Sequence, residues 1–130
     1  MAGAWQVDCG RAFALDDDSE PEPDVAVVPF DPDYYRQGHP SRAALLVEVS
    51  HSSYRIDHGF KASLYARAAI QEYWIVDVAH ETLEVHRAPE VSSDAPYGWR
   101  YASVEVLTKL ATVSPLVAPS VVIPVADLLP

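Results

Sequence analysis

Between Ala43 and Val78 the chain reads strand, helix, strand, with short connections, and this stretch constrains the fold more than any other. AALLVEVS (Ala43 to Ser50) is apolar throughout except at Glu48. Such a run suits a central strand buried on both faces. QEYWIVDV (Gln71 to Val78) is aromatic and β-branched, the composition of a second strong strand. The spacing between them predicts a helix from about Asp57 to Ala69, with Phe60, Leu64 and Ala68 recurring every four residues as an apolar stripe. Asp57, Lys61 and Tyr65 form a second stripe beside it. Two strands joined by a helix through short loops make a right-handed βαβ crossover.

The flanks extend this unit into a sheet. DVAVVPF predicts a strand from Asp24 to Val28, stopped by Pro29. TLEVHRA (Thr82 to Ala88) alternates as the hairpin partner of the strand before it, and WRYASVEVL (Trp99 to Leu107) alternates again, across a polar loop from Pro89 to Gly98. AWQVDC and RAFAL suggest two short N-terminal strands joined at Gly10, and four prolines break the tail, leaving VADLL room for one helical turn. The expected fold is α/β (α+β): a mixed sheet with one central helix packed on a face.

The 130 residues suit one domain and bury roughly two-thirds of the unfolded surface, enough for a core without staples. The single cysteine, Cys9, rules out an internal disulfide. No apolar run reaches the roughly 20 residues of a membrane span, and the N-terminus lacks a secretory pattern, so a cytoplasmic protein with no membrane partner is expected. The net charge is −10. That total argues against a general nucleic-acid coat, because non-specific affinity comes from neutralising phosphates. The charges are uneven: residues 1–33 hold nine acids and one base, whereas residues 36–67 hold five bases and two acids.

Glu48 is the chemical anomaly. An unpaired carboxylate buried in an apolar strand costs several kcal/mol, so it needs a cation, a partner or a cleft. One answer is a divalent metal held by Asp24, Glu48 and the Val49 carbonyl, since hard cations take oxygen ligands. Lys61 then steadies the attacking water or the charge on a phosphate. Tyr65 lies one turn further along the same helix face, within reach of a phosphate, and Arg55 joins it as a candidate substrate contact. The structural alternatives are an ordinary strand-start acid at Asp24, an ion pair of Glu48 with Arg55 or Arg42, and a solvated Lys61. Asp77 is expected to cap the turn to His80. Tyr73 and Trp74 are expected in the core or an interface. The five histidines show no zinc spacing, and no G-x-S-x-G, phosphate-binding loop or dinucleotide motif is present.

The order of PD at Pro23-Asp24, Glu48 in a strand and then Lys61 resembles the PD-(D/E)xK nucleases with their restriction-endonuclease-like fold. PEPDVAVV, LLVEVSHSSYRIDHGFKASLYARAAIQEYWIVDV and LEVHRAP together are similar to the Uma-two family of proposed endonucleases. The resemblance runs from about Glu20 to Pro89 and more weakly to the end. It implies Mg²⁺-dependent (or Mn²⁺-dependent) phosphodiester hydrolysis on nucleic acid, DNA first. A homodimer is expected separately, because a shortened chain exposes a sheet edge that a second copy can pair with. The resemblance also implies that Asp24 and Glu48 are metal ligands, with Lys61 the catalytic lysine moved from strand to helix. Ser50 stands where the usual E-x-K has its lysine. Asp57 reads as a helix cap or a partner of Lys61. Two departures stand out. Met1 to Arg11 does not resemble the family's N-terminal helical, glutamate-bearing segment, so a single domain lacking that segment is expected. Ala69 replaces the usual glycine after the helix, which is expected to shift the helix end. A second reading keeps the fold but makes the chain a catalytically inactive module acting through dimerisation or partner binding.

Overall fold

The computed structural model describes residues 5–9, 25–29, 44–51 and 55–130, with backbone only at 5–9, 28, 29 and 55–58. Its elements are β1 (Trp5–Cys9), β2 (Val25–Pro29), β3 (Leu45–Ser50), α1 (Arg55–Arg67), β4 (Glu72–Asp77), β5 (Thr82–Val91), β6 (Trp99–Thr108), β7 (Thr112–Val113) and β8 (Ile123–Pro124), followed by a 3₁₀ turn at Val125–Leu128. The first six strands form one sheet in sequence order, β1-β2-β3-β4-β5-β6. Only β3 and β4 run parallel, as the crossover around α1 requires; the other neighbours are antiparallel. This is the expected mixed sheet with a central helix. RAFAL, expected as a second N-terminal strand, lies outside the described residues.

The pleat sends alternate residues of β3 and β4 to opposite faces. Leu46, Tyr73 and Ile75 face the helix with Ala26, Tyr65, Ala66, Ile70 and Tyr101. Leu45, Trp74 and Val76 face the other way with Leu83, Val85, Val113 and Val125. Both central strands are thus buried on both sides, which is why their runs are apolar on both faces, Glu48 being the exception in β3. The second face is covered by the proline-broken tail: β7 pairs with β8, and the Val125 amide donates to the Ala111 carbonyl at 3.0 Å. The 3₁₀ turn falls where VADLL leaves room for one.

The helix differs from the expected one in its bounds and in part of its face. Of the expected stripe, Leu64 is buried and Ala68 packs against the core, but Phe60 is 48% exposed. Ala62, Tyr65 and Ala66 complete the face turned toward the sheet. The sheet already offers the bulky rings of Tyr73 and Tyr101, so small alanines let the helix approach them. Ser63, also buried, donates to the Trp99 carbonyl at 2.7 Å and accepts from the Tyr97 amide at 2.9 Å, fastening the loop before β6 to the helix. That loop is shorter than expected because β5 continues to Val91. Pro89 fits within it because β4, which ends its pairing with β5 at Arg87, no longer needs a donor there.

Beyond Arg67 the chain closes with Ala69 at φ 62°, its amide donating to the Ala66 carbonyl at 3.0 Å and the Ile70 amide to the Tyr65 carbonyl at 3.1 Å. This is the Schellman arrangement that glycine favours. The alanine therefore does not shift the helix end; it adopts a left-handed conformation that costs a residue with a Cβ about 1 kcal/mol. Ala69→Gly is expected to stabilise the protein by roughly 0.5–1 kcal/mol, part of the gain being offset by the looser unfolded chain. Urea unfolding should show a higher midpoint at unchanged slope; a lower midpoint would contradict the strain.

Candidate functional site

Glu48 stands one pleat beyond Leu46, on the helix side of β3 and beside Ile75 of β4. It is only 4% exposed. Its carboxylate is held from two elements at once. Tyr65, reaching down from α1, donates to Oε1 at 2.9 Å. Tyr73, two residues before Ile75 on the same face of β4, donates to Oε2 at 2.7 Å. Lys61, one helical turn before Tyr65, brings its ammonium to 3.4 Å from Oε1. Each oxygen thus has a buried hydroxyl donor, and the charge has a counter-ion. Burial pushes the Tyr73 phenol well above the ordinary tyrosine range, and the Glu48 charge pushes it further in the same direction. Tyr73 therefore keeps its proton and acts as a donor.

The tyrosines are themselves braced. The rings of Tyr65 and Tyr73 meet edge to face with centroids 4.9 Å apart. His86 of β5 lies 5.4 Å from Tyr73 and 5.8 Å from Tyr101. Tyr101, whose phenol burial also pushes up, donates to the Ile70 carbonyl at 2.7 Å and pins the end of α1. His86 and Tyr101 share this face only because the pleat is broken between them. Ala88, at φ 61°, falls between the Arg87–Ser103 and Pro89–Tyr101 pairs.

The structure brings Glu48, Lys61 and Tyr65 together. Tyr65 is fully buried and donates to Glu48, so its described bond is to the carboxylate rather than outward to a substrate phosphate. Val49 follows in β3 with its side chain 41% exposed. Arg55 opens α1, but its side chain, like that of Asp57, lies outside the description. Asp24 and Arg42 lie outside the described residues. The first described residue of β2, Val25, pairs with Val47 of β3. Asp77 accepts from the His80 amide at 3.1 Å and contacts the His80 ring at 2.8 Å, the turn-capping role expected of it.

Sequence reasoning left Tyr73 among the core aromatics. The signal for its role was its parity: it shares the face of Ile75, the residue beside Glu48. Among the described residues no group of three His, Cys, Asp or Glu is placed to hold a metal. No described helix is long and apolar enough to cross a membrane.

The chain is an α/β protein in which one helix packs on a mixed sheet and a buried carboxylate lies beside a helix lysine. The Uma2 family model, described as "Putative restriction endonuclease", matches residues 3–126, and the chain belongs to that family. Among solved structures it is similar to a crystal structure of a "putative nuclease belonging to DUF820" from Anabaena variabilis. The TM-score is 0.63 at 15% identity, over 95% of this chain and 67% of that one. At that identity the likeness establishes the fold. No curated protein matches the chain.

Proposed function

We propose that the chain is a metal-dependent endonuclease that hydrolyses phosphodiester bonds in nucleic acid, DNA first. The observation that carries this reading is the buried Glu48 carboxylate, oriented by two tyrosine hydroxyls and faced by Lys61. A carboxylate fixed in this way, with acceptor capacity left on both oxygens, suits a hard divalent cation.

In this reading Asp24, Glu48 and the Val49 carbonyl hold Mg²⁺ or Mn²⁺. The bound cation supplies polarisation of the phosphodiester and activation of a water. Tyr65 and Tyr73 keep the Glu48 carboxylate aimed, so no reorganisation is needed when substrate arrives. Lys61 turns its ammonium toward charge that develops on the phosphate; its flexible stem lets a helix lysine do this. Arg55, at the start of α1, contacts the substrate backbone.

The purified chain is expected to nick supercoiled plasmid in Mg²⁺ or Mn²⁺ and to stop when EDTA is added. The alternative, an inactive module of the same fold, draws on the net charge of −10, which repels a polyanion. Absence of cleavage of DNA and RNA, together with no Mn²⁺ uptake by calorimetry at millimolar concentrations, would overturn the nuclease reading in favour of that module.

A further inference from the structure

We propose, resting on the nuclease reading for the class of ligand, that Phe60, Tyr97 and Arg67 form a platform on which an unpaired base of single-stranded nucleic acid stacks. Phe60, Ser63 and Arg67 follow one another at steps of three and four, so they share one face of α1. The loop between β5 and β6 lies against that face. Phe60 is exposed, and so is Tyr97, at 41%. Their rings meet edge to face, with centroids 6.4 Å apart and planes at 76°. The Arg67 guanidinium carbon stands 4.8 Å from the Tyr97 ring centroid, a cation–π contact. Two half-exposed rings set nearly at right angles make a corner. A flat base can lie against one ring there and bring its edge to the other.

The platform is preformed. The buried Ser63 hydroxyl accepts from the Tyr97 amide and donates to the Trp99 carbonyl, so Tyr97 is anchored through its backbone. Within the loop the Ser92 amide donates to the Gly98 carbonyl at 2.9 Å, and the Gly98 amide to the Ala95 carbonyl at 3.0 Å. Each ring adjoins a glycine, Gly59 or Gly98, and a Cβ added at either would meet no described atom within 4 Å. At Gly98 the φ of 75° accounts for the glycine. Gly59 stands inside α1, where glycine is unfavourable and no close contact calls for it. It leaves bare backbone and open space beside Phe60.

Local charge and stacking select the ligand. α1 and the loop carry Arg55, Lys61 and Arg67 against Asp57 and Asp94, a net positive stretch in a chain of −10. The whole-chain charge opposes a polyanion, so neutralised phosphates alone do not hold one. Base–aromatic stacking supplies affinity of another kind and tolerates any sequence. In a duplex the bases offer only their edges, in the grooves, so the platform takes a base that is unpaired. Phe60 immediately precedes Lys61, whose ammonium faces Glu48, so the platform borders the Glu48 site.

Fluorescence anisotropy of a short labelled oligothymidylate tests this with the full chain, at low salt and in EDTA so that no cleavage intervenes. The oligothymidylate is expected to bind roughly tenfold more tightly than an abasic strand of the same length and charge, or than a hairpin duplex. Phe60→Ala and Tyr97→Ala should each remove most of that preference and leave abasic binding unchanged. Tyr97→Phe, which keeps the ring, should retain it. Phe60 is exposed and Tyr97 is held by its backbone, so these variants should melt with the parent. Equal binding of the normal and abasic strands by the parent would overturn the proposal. So would a preference that both alanine variants retain, or no binding of any strand. Cleavage in Mg²⁺ is read separately. An active parent without base preference overturns the platform alone, whereas a base-selective parent that neither cleaves nor takes up Mn²⁺ overturns the nuclease reading alone.

Discussion

Glu48→Gln is expected to lower metal-dependent cleavage by more than about a hundredfold while leaving the fold intact. The substitution keeps the shape of the side chain and an acceptor oxygen but removes the charge. Lewis-acid activation by a metal is worth several kcal/mol, and each 1.36 kcal/mol is tenfold in rate. The surroundings sharpen the loss. Tyr65 and Tyr73 both donate to the carboxylate, so an amide must turn its NH₂ toward one of them. Lys61, now 3.4 Å from a carboxylate oxygen, would face a neutral group. Plasmid nicking gives the rate, Mn²⁺ calorimetry reports the metal site directly, and circular dichroism checks the fold. Cleavage by the variant at the parental rate would mean that the buried charge has no part in the chemistry.

What the sequence made legible follows from how strongly each signal stood out locally. Glu48 was visible because it interrupts an apolar run. The crossover was visible because β3 and β4 are buried on both faces and therefore apolar on both. The packing face of α1 was legible only in part: Leu64 and Ala68 pack as their spacing predicts, but the face also takes Ala62, Ala66 and the amphipathic Tyr65, while the more hydrophobic Phe60 is left exposed. Periodicity of apolar residues finds a helix but blurs the centre of its face when the partner surface is already crowded with rings. The tail was unreadable for a related reason: Val113 and Val125 are isolated among prolines, and their burial depends on a sheet face that only the whole fold creates. Tyr73 looked like one more core aromatic, since nothing local announces that its hydroxyl meets a residue twenty-five positions earlier.

Glu72 is the hidden counterpart of Glu48, and Glu72→Ala is expected to cost about 3–5 kcal/mol of stability. It stands at the head of β4, and it is completely buried. It lies on the face opposite the helix, with Trp74. Its Oε2 accepts from the Trp74 indole at 2.7 Å and from Arg87 Nε at 2.8 Å, with a second Arg87 nitrogen at 2.6 Å. Its Oε1 accepts from the Leu116 amide at 2.9 Å, and Arg87 in turn donates to the Ser114 carbonyl at 2.7 Å. One carboxylate therefore joins β4, β5 and the tail that covers the second face. Removing it strands a half-buried guanidinium, an indole N–H and a backbone amide together, the situation in which breaking a buried pair is most damaging. Against a total of roughly 5–15 kcal/mol, that loss is expected to lower the melting temperature by about 10 °C or more. Glu81→Ala provides the comparison: its pair with Lys109 is at 3.0 Å but largely exposed, and such surface pairs contribute less than about 1 kcal/mol. Thermal and urea unfolding of both variants, followed by the fluorescence of Trp74 and its neighbours, measures the difference. If Glu72→Ala cost no more than Glu81→Ala, the tail would be held by Val113 and Val125 packing alone, and the ion-pair network would be incidental to the fold.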